Sequence, residues 1–184
     1  MVTPTRRRVV LVYAHPLADS LTAAVRDRAR AALEGAGHEV AVCDLYAEGF
    51  DPLYRPGADT GGDPVLARHL EALATADTLV LVHPTWWGGL PAIVKGWFDR
   101  LLPALPARRL RHIRRVIVVT THGSPRWQNL VEGHAGRLWY RRGLRTVVHP
   151  LARVSWIALY DVDRSELADR RAFLDRVERR LARL

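Results

Sequence analysis

Apolar residues gather in five short runs: VVLVY (9–13), EVAVC (39–43), TLVLV (78–82), VIVVT (116–120) and VSWIALY (154–160). Each is rich in β-branched residues and shows little polar alternation, the pattern of strands buried on both faces of a parallel sheet. Between the runs the apolar period lengthens to that of a helix. Residues 20–34 carry Leu21, Ala24, Val25, Ala29, Ala32 and Leu33 and stop at Gly35 and Gly37, a C-terminal signature. Pro91 opens another helix with Ile93, Val94, Trp97, Phe98, Leu101 and Leu102 as its stripe, expected to end near Pro103. A last helix, opened by Asp163 or Ser165 with Glu166 in its first turn, carries Phe173, Leu174, Val177 and Leu181.

This alternation predicts an α/β fold over residues 1–184: a single doubly wound domain whose five parallel strands run in the order 2-1-3-4-5 with right-handed crossovers. Ligands of such sheets sit beyond the carboxyl ends of the strands, where the strand order reverses. The loops to inspect are therefore AHPLADSLT after strand 1, HPTWWGGLP after strand 3 and THGSPRW after strand 4. RPGADTGGDP at 55–64 reads as a flexible loop.

Composition narrows the function classes. No apolar run approaches the ~20 residues that span a bilayer, and Arg6-Arg7-Arg8 with Val9–Val12 breaks at His15-Pro16 before a signal-type core develops, so a cytoplasmic location is expected. The single cysteine, Cys43, and eight histidines without close pairing argue against disulfides and a metal centre. The formal charge of +9 raises the question of anionic partners. Arginines at 26, 28 and 30 and from 170 to 183 are interleaved with acids, as on an ordinary solvated face. Local excesses are confined to Arg108, Arg109, Arg111, Arg114 and Arg115, and to Arg137, Arg141, Arg142 and Arg145; without a recognition module they predict no nucleic-acid binding.

The first loop lacks G-x-G-x-x-G, the dinucleotide fingerprint. Instead His15, Ser20 and Thr22 flank a helix N-terminus, where free N–H groups and the dipole attract a phosphate; the plainer reading is that Asp19 or Ser20 caps the helix. The second loop puts Trp86 and Trp87 at the switch point, where a flat aromatic ligand can lie against them; the plainer reading is that both plug the core. Thr120, Thr121, His122, Gly123 and Ser124 offer donors suited to the polar edge of a flavin, and they do not form the G-x-S-x-G elbow of a catalytic serine.

With AHP…SLT at 14–22, AGHEV…DLYAEGFDP at 36–52, ADTLVLVHPTWW…PAIVKGWFDR at 76–100 and TTHG at 120–123, the chain resembles the NAD(P)H:quinone oxidoreductase family of flavodoxin-like flavoproteins, including small bacterial members that accompany potassium-efflux systems. The resemblance spans essentially the whole chain. It implies FMN or FAD as a prosthetic group, NAD(P)H as electron donor, and ping-pong two-electron reduction of quinones or other aromatic acceptors. It implies that His15, Ser20, Leu21 and Thr22 bind the flavin phosphate, that Pro84, Thr85, Trp86 and Trp87 line the isoalloxazine, and that Thr120, Thr121, His122 and Gly123 hold its polar edge. Relatives carry two glycines where this chain has His122-Gly123. Gln128 stands at the position of a catalytic tyrosine, and His134 falls at that of the second catalytic residue. The resemblance further implies a homodimer, to which Trp127, Trp139 or Tyr140 could contribute across the interface. An alternative reading is a flavin-binding ancillary subunit that docks on a membrane transporter through its arginine clusters.

Overall fold

A computed structural model of the chain describes residues 6–55, 62–105 and 110–184. Arg108, Arg109 and residues 56–61 of the stretch read as a flexible loop lie outside the described residues. Five parallel strands, β1 (Arg8–Tyr13), β2 (Glu39–Asp44), β3 (Thr78–Thr85), β4 (Arg115–His122) and β5 (Arg153–Leu159), form one sheet in the order β2-β1-β3-β4-β5. The sequence pattern anticipated this arrangement.

Helices cover both faces. Val9, Leu11 and Tyr13 point toward α1 (Leu21–Gly35) and α6 (Leu167–Leu181), where they meet Val25, Leu33, Phe173 and Val177. Val10, Val12 and Ala14 point the other way, toward α2 (Pro64–Thr75) and α3 (Ala92–Ala104), and join Leu66, Leu73, Trp97, Phe98 and Leu101. Central β1, β3 and β4 are buried nearly throughout, whereas the edge strands β2 and β5 are mostly exposed or half-buried, each with one buried residue, Cys43 and Ile157.

Several boundaries differ from the expected ones. β3 and β4 continue to Thr85 and His122, so residues assigned to loops form the strand ends. Pro84 is accommodated there because β1 has stopped opposite Val82, leaving β3 paired only with β4 beyond that point. α3, by contrast, ends at Ala104, beside Pro103 as expected, with the proline in its last turn. Glu166 is the cap of α6 rather than part of its first turn, and its N–H donates to the Asp169 carboxylate at 3.1 Å. Asp163 belongs to a separate 3-10 turn, Val162–Arg164. The sequence pattern did not delimit α2, whose Pro64 occupies the first turn while Asp63 accepts from the N–H groups of Val65 and Leu66 at 2.9 and 3.1 Å. It also missed the short helices α4 (Arg126–Val131) and α5 (Ala135–Leu138) and the π turn Trp139–Gly143.

Candidate functional site

At the carboxyl end of the sheet, between the ends of β1, β3 and β4, lies an open cleft of about 650 Å³. Ten of the twelve flavin-binding residues that the resemblance implies line it: His15, Ser20, Leu21, Thr22, Pro84, Thr85, Trp86, Trp87, Thr121 and Gly123. Thr120 and His122 do not reach its surface. They stand behind Thr85, whose hydroxyl lies 2.9 Å from that of Thr120 and 3.4 Å from His122 Nε2.

The β1 side of the cleft is the start of α1. Ser20 caps it, its hydroxyl accepting from the Ala23 N–H at 3.1 Å. Helix geometry leaves the N–H groups of Leu21 and Thr22 without carbonyls of their own, so the plain capping role and an anion-binding role coexist here. His15 is held in the loop by the Leu17 N–H, which donates to its Nδ1 at 3.1 Å.

The β3 side is a tight hairpin. Trp86 and Gly89 exchange backbone hydrogen bonds of 3.2 and 3.0 Å, and the two residues between them, Trp87 and Gly88, have φ of 50° and 70°. Positive φ at both central positions marks a type I′ turn, for which Gly88 is suited and a tryptophan is not. Trp87 is fully exposed, with relative exposure 105%, and Trp86 retains 41%. The reading in which both indoles plug the core is thereby excluded. The Gly136 N–H donates to the Gly88 carbonyl at 3.2 Å, bracing the turn from α5.

Below the turn, His83 is wholly buried. Its Nδ1 lies 2.8 Å from the Pro84 carbonyl, which can only accept, so Nδ1 carries the proton and Nε2 accepts from the Tyr140 hydroxyl at 2.7 Å. Burial holds the His83 imidazole down at about 4 and pushes the Tyr140 phenol well above its usual range, which keeps both groups neutral and this bonding pattern fixed. Burial likewise lowers His122 to about 4, and its ring stacks on Tyr160 at 4.4 Å.

Six further residues complete the lining: Gly88, Ser124, Gln128, Glu132, Val162 and Asp163. Gln128 donates to Glu132 at 3.0 Å. Asp163 packs so tightly over Gly123 that a Cβ there would meet its carboxylate at 2.6 Å. Neither Glu132 nor Asp163 makes an ion pair among the described residues. The Glu132 carboxylate sits against the Trp86-Trp87 turn, where a Cβ on Gly88 would meet it at 3.1 Å, and Asp163 sits over Gly123 at the end of β4. The switch-point rule directed attention to three loops, whereas Glu132 and Asp163 come from the end of α4 and the turn after β5.

His134 is absent from the lining. It is half-buried in the turn before α5 with φ of 49°, its N–H donating to the Asn129 carbonyl at 2.9 Å. Tyr140 is buried in this chain's own core, and the half-buried Trp139 packs on Phe98 at 4.7 Å.

A doubly wound five-stranded parallel sheet in the order β2-β1-β3-β4-β5, with a cleft at its switch point, defines a flavodoxin-type fold. Residues 7–178 match the family model described as flavodoxin-like fold, and the chain belongs to that family. It is 36% identical over 101 residues to an uncharacterized NAD(P)H oxidoreductase, YcaK, of Escherichia coli, covering 51% of this chain and 52% of that one. It is 32% identical over 120 residues to NAD(P)H dehydrogenase (quinone) 1 of Rattus norvegicus, covering 53% and 44% respectively. The chain thus spans about half the length of these curated relatives. A solved NAD(P)H:quinone oxidoreductase from Methanothermobacter marburgensis superposes with a TM-score of 0.79 at 25% identity, over 97% of this chain and 96% of that one.

Proposed function

We propose that residues 1–184 act as one domain, a flavin-dependent NAD(P)H oxidoreductase that reduces quinones or similar aromatic acceptors by two electrons. The observation that carries this reading is the outward-facing Trp86-Trp87 turn set across a cleft from the capped start of α1. The named activities of the relatives, NAD(P)H oxidoreductase and quinone reductase, agree with it.

The residues present fit a flavin mononucleotide or its adenylated form. Ser20, Thr22 and the free N–H groups of Leu21 and Thr22 match a phosphate, and the indoles with Pro84 and Thr85 match a flat ring system. Thr121, Gly123 and Ser124 offer donors to a polar ring edge. Such a group, when bound, supplies a two-electron hydride acceptor and donor, leaving the protein to bind, orient and screen the reactants. In the proposed cycle NAD(P)H and acceptor use the same open face in turn, against Trp86 and Trp87. Gln128 takes the place of a proton-relay tyrosine and serves as a hydrogen-bonding wall. His134, outside the lining, is not given a catalytic role in this reading.

We further propose a homodimer. Trp87, Trp127, Leu130, Val131 and Leu138 are all exposed, and α4 buries only Asn129 against its own chain. An apolar rim of this kind beside a ligand cleft fits a subunit contact. The working compartment is taken to be the cytoplasm, in keeping with one buried cysteine, Cys43, whose thiol burial pushes up to about 12. No helix among the described residues is long and apolar enough to cross a membrane.

The test is the visible spectrum of the protein reconstituted with FMN or FAD. Flavin retained through gel filtration, bleached by anaerobic NADPH or NADH and restored by a quinone, is the expected result. Failure to retain either flavin would overturn the proposal, and elution as a monomer with full activity would overturn the dimer.

A further inference from the structure

At the opposite end of the sheet from the cleft, a second open cavity of about 450 Å³ is bordered by four arginines. Arg115 and Arg153 begin β4 and β5, and they are register partners, so two guanidinium-bearing residues start directly opposite one another on adjacent strands. Like charges in such a pair repel. Arg180 and Arg183, at the end of α6, close the cavity from above, and the Ser155 hydroxyl adds a polar group to its floor. None of these four arginines has an ion-pair or hydrogen-bonding side-chain partner among the described residues, whereas Arg28 near the same helix is satisfied by Asp175 and Glu178. Burial, with Arg7 and Arg153 nearby, lowers the affinity of Arg115 for its proton, an effect that Asp77 opposes while it lies 3.6 Å from the Arg7 guanidinium. Arginines in the last turn of a helix complement its dipole, which accounts for Arg180. That explanation does not extend to Arg115 and Arg153, which stand on the sheet.

We propose that this basin is a second anion site, taking a group with at least two negative charges of the phosphate type. Paired guanidiniums recognise phosphate oxygens bidentately, and a bound dianion would turn the Arg115–Arg153 repulsion into shared attraction. The site lies roughly 20 Å from the flavin cleft, the length of a strand of this size, so the two can be filled together. Its ligand comes either from solution or from an anionic lipid headgroup.

The experiment is titration calorimetry of the full chain with inorganic pyrophosphate, alongside sedimentation with phosphatidic acid or phosphatidylcholine vesicles. Arg115→Gln/Arg153→Gln is compared with Arg141→Gln/Arg142→Gln, which removes the same charge from an exposed turn elsewhere. We expect wild type and the control to bind one of the two anionic probes, and the sheet variant to bind it at least about tenfold more weakly. Without ligand the sheet variant should melt about 1–3 °C higher, because a repulsion has gone. Pyrophosphate binding identifies a soluble ligand, and phosphatidic acid binding without it identifies a headgroup. No binding of either, or equal binding by the sheet variant and the control, would overturn the proposal. Should the sheet variant fail to fold, Arg180→Gln/Arg183→Gln at the helix end gives the same comparison.

Discussion

Tyr140 donates its phenol proton to His83 Nε2 at 2.7 Å, while His83 donates from Nδ1 to the Pro84 carbonyl at 2.8 Å. The relay ties the π turn Trp139–Gly143 to the residue that leads into the Trp86-Trp87 turn. Tyr140→Phe keeps the packing but leaves a buried imidazole nitrogen without a donor. It should lower stability by about 1–3 kcal/mol. Urea denaturation reads this directly, and a variant as stable as wild type would show that the relay carries no load.

Acid should weaken the fold in a defined window. His83 and His122 are both depressed to about 4 by burial, so the native state keeps them neutral while the unfolded chain takes up protons below the ordinary value of 6.5. The unfolded state then binds more protons, and stability falls as pH drops from 6.5 toward 4. Each histidine can contribute on the order of 3 kcal/mol across that range. Asp51 and Asp63 are lowered from 3.8, mainly through their arginine and backbone donors acting against burial in the case of Asp63, and their loss falls below this window. Melting temperatures from pH 7.5 to 4.5 should fall more steeply for wild type than for His122→Gln.

Strand order and layers were legible because the central strands are buried on both faces, which writes an unbroken apolar run for each. The cleft was mostly legible for a related reason, since topology alone assigns its position. Chain direction hid other features. Thr120 and His122 could be placed near the site but not behind Thr85, because that depends on β4 pairing with β3 through to Thr85–His122. Glu132 and Asp163 were not legible, since they arrive from a six-residue helix and a 3-10 turn that leave no periodic signature. The positive φ of Trp87 was equally hidden, although Gly88-Gly89 signalled a turn.

Gly96 makes a close approach that any side chain would break. An added Cβ would lie 2.3 Å from the Pro52 carbonyl oxygen, on a backbone segment that cannot swing aside as a side chain would. Gly96→Ala should therefore destabilise by about 1–3 kcal/mol through overpacking, despite the better helix propensity of alanine. A variant with unchanged or raised melting temperature would mean that the 51–52 segment shifts freely over α3.

Ser20 serves both as a helix cap and, in the proposed function, as a phosphate ligand. Ser20→Ala should cost about 1 kcal/mol of stability through the lost cap. Its effect on binding should depend on the ligand: several-fold weaker for FMN and little changed for riboflavin, which lacks the phosphate. Equal weakening of both would reduce Ser20 to its structural part.

Trp87 separates strain kept for function from strain without consequence. An L-residue in the left-handed region costs roughly 1–2 kcal/mol, and Trp87 gains no burial in return, being fully exposed at φ of 50°. Glycine adopts that conformation freely. Trp87→Gly should therefore raise the melting temperature while weakening FMN binding by about tenfold, the loss of an aromatic contact of 1–1.5 kcal/mol. A more stable protein that holds its ligand less well is the expected signature, because an error of packing would not couple the two. If stability rises and flavin affinity stays the same, the indole does not face the flavin, and the subunit contact proposed for the same rim becomes its remaining role. Sedimentation of the variant would then show dissociation at concentrations where wild type stays dimeric.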